Sequence, residues 1–113
     1  MVNPRDIGIL GNIVEHCIRI EETLIGVTIE IFNTNKGIQD ILCFNILQIG
    51  ELAKHLSPDF LSCYKEIPWR KTMDMRNRIV HGYGTIKMER VWKTAITDIK
   101  PLKDYCEKII KEN

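Results

Sequence analysis

Two long stretches of the chain repeat apolar residues at intervals of three and four, and this spacing constrains the fold more than any other feature. The first stretch runs from Ile7 to Leu24 and stops near Gly26, and the second runs from Ile38 to Leu56. Such spacing places the apolar side chains on one face of an α-helix. Each face needs an apolar partner, so the sequence predicts helices that pack on helices, with the second and more apolar one at the centre.

Capping residues place the ends of these helices. Asn3-Pro4 and Ser57-Pro58 each join a side chain that caps a helix to a proline at the first helical position. A further long helix is predicted over residues 68–81. Gly82 and Gly84 are expected to end this helix, because two glycines around Tyr83 allow positive φ and a tight change of direction.

The remaining segments complete an all-helical pattern. A last helix is predicted over residues 88–110, with a kink at 97–100 because Pro101 removes a hydrogen bond and clashes with the preceding turn. Residues 27–37 are typical of a brief helix and a turn, although their β-branched side chains leave a strand open. The chain is therefore predicted to form one all-α domain over residues 1–113, an up-and-down bundle of four or five helices.

Composition excludes several classes of protein. Hydrophobic residues make up 44% of the chain and charged residues 27%, as in globular proteins rather than disordered or membrane chains. No apolar run approaches the ~20 residues of a membrane span, and the N-terminus lacks the apolar core of a signal peptide. We expect a cytoplasmic protein with no membrane contact, metal or cofactor. Four cysteines without zinc-type spacing are expected to be buried thiols, namely Cys17, Cys43, Cys63 and Cys106.

Positive charge is concentrated between Arg70 and Lys93. Seven basic residues and two acidic ones give this segment a charge of +5, whereas the whole chain carries +1. Such a patch suits the binding of phosphate groups, although a solvated basic helix face has the same sequence pattern. Arg78, Lys87 and Arg90 are the candidates for binding an RNA backbone.

The stretch DMRNRIVHGYGTI gathers Arg76, Asn77, His81 and Tyr83 where the third long helix ends. An imidazole can remove a proton from a ribose 2′-hydroxyl, and a guanidinium can bind the phosphate in two places while negative charge builds on it. These two groups suffice for RNA cleavage without a metal ion, leaving a 2′,3′-cyclic phosphate and a 5′-hydroxyl. Arg76 and His81 are therefore the predicted catalytic pair, with Asn77 orienting a group and Tyr83 donating a hydrogen bond or stacking on a base.

The spacing of the catalytic pair limits what a single chain can do. Five residues correspond to a rotation of about 140° on an ideal helix, so Arg76 and His81 share a face only if the helix loosens before Gly82. A second copy related by a two-fold axis could bring both copies of each residue into one cleft. The sequence therefore favours a symmetric dimer.

The same residues resemble the signature of HEPN domains. In that signature four residues separate an arginine from a histidine, and one residue separates the histidine from a tyrosine. Here the positions are Arg76, His81 and Tyr83, with the favoured polar residue, Asn77, after the arginine. The flanking text is similar to the HepT branch of that superfamily, the toxin partner of a minimal nucleotidyltransferase. The similar segments are IGELAKHLS (49–57), EIPWRKTMDMRNRIVHGYGTI (66–86) and VWKTAITDIKPLK (91–103).

This resemblance implies a HEPN-like bundle that dimerises through its motif helices and forms a composite endoribonuclease site. It implies a toxin whose partners are RNA, a nucleotidyltransferase antitoxin and a second copy, in a homodimer or a higher hetero-oligomer. Arg76 and His81 would be catalytic and Asn77 supporting, and Tyr83 would accept the AMP that silences the toxin. Lys87 departs from the family pattern, since relatives often have an acidic cap before the last helix.

Other residues keep alternative interpretations. Glu51 lies one helical turn before His55, and the pair is either a surface ion pair, which we favour, or a site in which Glu51 supports the arginine. His16 is expected to be solvated, and Trp69 and Trp92 are expected to pack in the core or an interface. Two other functions also stay open: a non-catalytic substrate or docking subunit of the nucleotidyltransferase, and a nucleic-acid-binding helical dimerisation module.

Overall fold

The computed structural model describes residues 2–113, and within that range it contains helices and turns but no strand. The prediction of an all-α fold is therefore confirmed, and the segment after residue 27 is helical. The elements are α1 (Pro4–Thr23), α2 (Ile29–Thr34), α3 (Lys36–Lys54), α4 (Pro58–Cys63), α5 (Trp69–Gly82), α6 (Met88–Lys93) and α7 (Ile99–Glu112), with a π-helical turn at Thr94–Asp98 joining α6 to α7. None of the helices in this range combines the length and apolarity needed to cross a membrane.

Side-chain caps begin the helices where the sequence predicts them. The Asn3 side chain accepts a hydrogen bond from the Asp6 N–H at 2.8 Å, and the Ser57 hydroxyl accepts one from the Phe60 N–H at 3.2 Å. Proline follows each cap at the start of the helix. The turn after α1 contains Gly26 at a φ of 73°, a conformation that glycine adopts without steric cost.

The central helix of the bundle is α3, as its apolar character predicts. It packs against α1 on one side and α5 on the other, and α1 also packs against α7. The side chains buried between these helices include Leu10, Ile13, Leu42, Ile46 and Ile49. Each such side chain contributes about 1.5–3 kcal/mol through burial. Helix α5 contacts the bundle chiefly through α3.

The turn after α5 differs from the prediction. The helix continues through Gly82, and among the described residues only Gly26 has a positive φ. The N–H groups of Thr85 and Ile86 both donate to the Gly82 carbonyl at 2.8 Å. These hydrogen bonds close the turn, and neither Gly82 nor Gly84 adopts the positive φ that glycine allows.

The last helix is interrupted close to the predicted place, by a π-helical turn at 94–98 rather than at 97–100. Pro101 follows within α7, where it has no N–H to donate to the turn before it, and a wider turn accommodates its ring. Lys87 precedes α6 without a side-chain capping bond, as the departure from the family pattern predicts.

The tryptophans are packed as expected. Trp69 is buried and donates its Nε1–H to the Tyr64 carbonyl at 2.7 Å. Trp92 packs against Phe32 with 5.1 Å between ring centroids. Cys63 is exposed, whereas the other three cysteines are buried, so the prediction of four buried thiols is wrong at this position. Helix α4 buries only Phe60, and its last residue is left in solvent.

His16 is partly buried rather than solvated, because the packing of α1 on α3 brings it to Asn45. The His16 Nδ1 atom lies 2.8 Å from the Asn45 Oδ1 atom. The Asn45 amide nitrogen donates to the Ile41 carbonyl at 2.9 Å, which fixes the orientation of the amide. Since the amide oxygen can only accept, Nδ1 carries the proton.

Candidate active site

Arg76 on α5 is held by an ion pair with Glu51 on α3. The Nε and Nη2 atoms of the arginine donate to the same carboxylate oxygen at 2.9 and 2.6 Å, and its Nη1 atom donates to the Asn77 side-chain oxygen at 2.7 Å. Only 17% of the Arg76 side chain is exposed. The hydrogen bonds from Arg76 lower the pKa of Glu51, which keeps this carboxylate charged.

This contact corrects the favoured interpretation of Glu51. The carboxylate pairs with Arg76 across the α3–α5 interface instead of forming a surface ion pair with His55. Crossing of the two helices presents Glu51 to α5, a tertiary contact that spacing along α3 does not reveal.

Gly50 allows the two helices to approach this closely. A Cβ atom at Gly50 would lie 2.2 Å from the Arg76 Cβ and 3.0 Å from the Thr72 carbonyl oxygen. Both neighbours are fixed to the α5 backbone, so no rotamer change relieves the overlap. Glycine at this position is therefore required for the observed approach of α5 to α3.

The anchored arginine keeps part of its binding capacity. A guanidinium has five N–H groups, and three of those on Arg76 are used by Glu51 and Asn77. One N–H on each terminal nitrogen remains for an external acceptor. Two N–H donors on one guanidinium can bind the oxygens of a phosphate group.

His81 lies in the last turn of α5 and is exposed. The helix is α-helical from Trp69 to Gly82, so it does not loosen between Arg76 and His81. The rotation of about 140° between the two residues therefore persists. Within a single chain the structure brings Glu51, Arg76 and Asn77 together but does not add His81 to them.

Tyr83 follows α5 and is bound by two residues from the start of α3. Its hydroxyl donates to an Asp40 carboxylate oxygen and accepts a hydrogen bond from the Lys36 Nζ atom at 2.7 Å. Lys36 also pairs with Asp40 at 2.9 Å and lies 4.6 Å from the centroid of the Tyr83 ring. We call this arrangement the tyrosine clamp. The tyrosine remains 37% exposed.

The clamp changes the acidity of its members. The hydrogen bond to Asp40 raises the pKa of the Tyr83 hydroxyl, and the same hydrogen bond lowers the pKa of Asp40. The pKa of Lys36 is raised, chiefly by its hydrogen bond to Tyr83. The sequence does not reveal the roles of Lys36 and Asp40, because 47 and 43 residues separate them from Tyr83. Their opposite charges one helical turn apart were the only signal.

The candidate RNA-binding residues do not form one surface. Arg78 and Arg90 line a groove of about 810 Å³ between α5 and the segment formed by α6, the π-helical turn and the start of α7. Lys87 is not part of its lining. Four basic and four acidic side chains line the groove. Lys71 and Asp98 form a salt bridge of 3.3 Å within it. The charge of +5 along the sequence is therefore balanced in this groove, partly by acidic residues from other segments.

Helices α3 and α5 also expose apolar side chains next to Tyr83. Ile41, Phe44 and Val80 are 46%, 52% and 43% exposed. Phe44 and Val80 line a shallow groove of about 480 Å³ together with Leu47 and Tyr83. We call Ile41, Phe44, Leu47 and Val80 the α3/α5 apolar patch. In residues 2–113 no group of three or more His, Cys, Asp or Glu side chains could hold a metal ion.

Comparison with known proteins gives one consistent family. The family model described as "Ribonuclease HepT-like" matches residues 13–109. A Thermococcus cleftensis protein named "Probable ribonuclease HepT" is 34% identical over 102 residues, covering 90% of this chain and 93% of the relative. A Methanocaldococcus jannaschii protein named "Gamma-glutamylcyclotransferase and putative RNase" is 33% identical over 103 residues, covering 91% of this chain but 46% of the relative. No solved structure matches the chain.

Proposed function

Because the chain belongs to the HepT-like ribonuclease family, we propose that it is a cytoplasmic toxin that cleaves RNA without a metal ion. Arg76 binds the scissile phosphate, and His81 removes the proton from the ribose 2′-hydroxyl. The 2′ oxygen then attacks the phosphorus, and the 5′ oxygen departs. The products are a 2′,3′-cyclic phosphate and a 5′-hydroxyl.

The observation that carries this proposal is the anchored arginine. Glu51 and Asn77 fix the guanidinium through three hydrogen bonds of 2.6–2.9 Å, and two N–H groups remain for a phosphate. A fixed donor pair stabilises developing charge without having to reorganise during the reaction.

The complete site is proposed to form in a homodimer. Arg76 and His81 lie about 140° apart on α5, so a second copy is needed to place both groups on one phosphate. The α3/α5 apolar patch supports this assembly, because it lies on the motif helix and its neighbour and a second copy would remove it from water. In such a cleft, the His81 side chain that took the 2′-hydroxyl proton returns a proton to the departing 5′ oxygen.

Silencing is proposed to occur through AMP transfer to Tyr83 by a cognate nucleotidyltransferase antitoxin, in a complex of both proteins. The tyrosine is exposed enough to be reached and follows His81 by two residues. An attached AMP adds bulk and a negative phosphate where the RNA phosphate must enter. The phosphate of the AMP attached to Tyr83 would then compete with RNA for Arg76.

A cleavage assay tests the nuclease proposal. Purified chain is incubated with labelled RNA in EDTA, and the ends of the products are identified. Arg76→Ala and His81→Ala are each expected to lower the rate by about 100-fold or more. Arg19→Ala and His55→Ala remove the same side chains from exposed positions elsewhere and should cleave at the wild-type rate. Wild-type rates for the two site variants, or a wild-type protein that needs metal, would refute the proposal.

The tyrosine clamp also favours a second candidate function, a substrate or docking subunit of the nucleotidyltransferase without nuclease activity. The clamp holds an exposed hydroxyl in a way that cleavage does not require. Incubation of both proteins with labelled ATP separates the two functions. Label on the wild type but not on Tyr83→Phe, with no RNA cleavage by the purified chain, would establish the second.

A further inference from the structure

The tyrosine clamp places an acid–base group and a positive charge on one phenolic oxygen. Asp40 accepts the proton of the Tyr83 hydroxyl in a hydrogen bond, and the Lys36 Nζ atom reaches the same oxygen at 2.7 Å. Both residues lie in the first two turns of α3, whereas the tyrosine follows α5. Because Lys36 and Asp40 are also paired with each other at 2.9 Å, all three groups converge on one point.

This geometry matches the needs of a hydroxyl that attacks a phosphate. Attack by a phenol requires a group that takes the proton as the new bond forms, and protein kinases use an aspartate on the substrate hydroxyl for that purpose. The phenolic oxygen becomes more negative as its proton leaves, and a nearby cation can stabilise that charge. Asp40 and Lys36 supply these two functions from within the substrate chain itself.

We infer that Asp40 and Lys36 prepare Tyr83 to accept a nucleotidyl group from a nucleoside triphosphate. A bond forms between the Tyr83 oxygen and the α-phosphorus, the bond from that phosphorus to pyrophosphate breaks, and pyrophosphate leaves. The phenolic proton moves to Asp40, and Lys36 stabilises the negative charge that develops on the attacking phenolic oxygen as this proton leaves. The inference rests on the proposed AMP transfer to Tyr83 and adds residues that this transfer requires.

The protonation states of the clamp agree with these roles. The pKa of Tyr83 is raised by its hydrogen bond to Asp40, so the hydroxyl keeps its proton at neutral pH and needs an acceptor. The pKa of Asp40 is lowered by the same bond, so the acceptor is charged before the reaction. As the new bond to phosphorus forms, the phenolic oxygen loses basicity and the proton can pass to a weakly basic carboxylate.

A purely structural role makes different predictions. If the clamp only ties the end of α5 to α3, any loss of its hydrogen bonds should loosen the turn and weaken recognition of the chain. That change would raise KM and lower the melting temperature. A proton acceptor instead affects kcat, and another carboxylate at the same position can replace it.

The test uses the full chain, a cognate nucleotidyltransferase and ATP labelled at the α-phosphate. Asp40→Asn keeps the shape and a hydrogen-bond acceptor but cannot take the proton, and it should lower kcat for labelling by about 100-fold with KM unchanged. Asp40→Glu should recover most of that loss, and Lys36→Met should also lower kcat. Asp104→Asn is the matched control, because Asp104 forms an equivalent exposed pair with Lys100 at 3.2 Å.

The outcomes separate this inference from the function on which it rests. Absence of label on the wild type, or label retained on Tyr83→Phe, would refute Tyr83 as the acceptor and the inference with it. Label on Tyr83 at the wild-type rate in Asp40→Asn would refute the inference alone. A higher KM and a lower melting temperature shared by Asp40→Asn and Asp40→Glu, with kcat unchanged, would also refute it.

Discussion

Replacing Gly50 with alanine tests how tightly the fold positions the anchored arginine. The new Cβ would lie 2.2 Å from the Arg76 Cβ, and ordinary contact begins at 3.4 Å. The two atoms must therefore separate by about 1.2 Å. Because both are fixed to helix backbones, the separation requires α5 to move away from α3.

The expected loss of stability follows from two opposing contributions. Alanine in place of glycine inside a helix adds about 1 kcal/mol to stability. Overpacking of a close interface typically costs about 1–3 kcal/mol, and we take the upper end because no side chain can rotate away. The net decrease in the free energy of unfolding should then be about 2 kcal/mol. A displacement of Arg76 by about 1 Å should also slow RNA cleavage by about 100-fold.

Urea unfolding and the RNA cleavage assay together measure both effects. Gly8→Ala is the matched control, because this glycine also lies inside a helix but a Cβ there would have no neighbour within 4 Å. The control should raise the free energy of unfolding by about 0.4–1 kcal/mol and leave cleavage unchanged. If Gly50→Ala behaves like Gly8→Ala in both assays, the reasoning about close approach is wrong.

Three further results are expected. Glu51→Gln should lower the melting temperature at pH 7, and the difference from wild type should shrink below pH 4. Arg76 lowers the folded-state pKa of Glu51, so the stabilisation that the charged carboxylate provides is lost only as this group gains a proton at low pH. A disadvantage independent of pH would contradict that assignment. Asp6→Ala should lower the free energy of unfolding by about 2–3 kcal/mol in urea titrations. The buried Asp6 carboxylate accepts hydrogen bonds from the Ser57 N–H at 3.0 Å and from the Ser57 hydroxyl at 2.6 Å. An unchanged free energy of unfolding would refute a stabilising role for these bonds. A thiol reagent should add one label per native chain, at Cys63, by mass spectrometry, since the other cysteines are buried, and faster labelling of any other cysteine would be inconsistent with the fold.

The helices could be predicted from the sequence because their causes are local. Spacing of three and four marks the apolar faces, and Asn3 and Ser57 cap the helices that follow them. The turn after α5 was predicted less well. Hydrogen bonds to the Gly82 carbonyl close it without positive φ, so the presence of two glycines was not enough to determine the backbone.

The candidate site could be predicted only where its members are close in sequence. Four of its members lie within eight positions of the amino-acid sequence, namely Arg76, Asn77, His81 and Tyr83. Their partners come from α3, which reaches them through tertiary packing. Neither periodicity nor spacing within α3 indicates that Glu51 faces Arg76.

The charge pattern failed for the same reason. Between Arg70 and Lys93 the chain is strongly basic, yet the groove lined by Arg78 and Arg90 has equal numbers of basic and acidic side chains. Asp98, which lies outside the basic segment, contributes to that balance. A charge summed along the sequence therefore overestimates the positive charge of the folded surface.

We propose that one ribonuclease site draws Arg76 and His81 from two copies of the chain. An Arg76→Ala chain and a His81→Ala chain, carrying different tags, can be co-expressed and purified as a mixed dimer. This dimer retains one intact copy of each residue, on different chains, and should cleave labelled RNA about 100-fold faster than either variant homodimer. A mixed dimer as inactive as both homodimers, or a wild-type monomer with full activity, would contradict the claim.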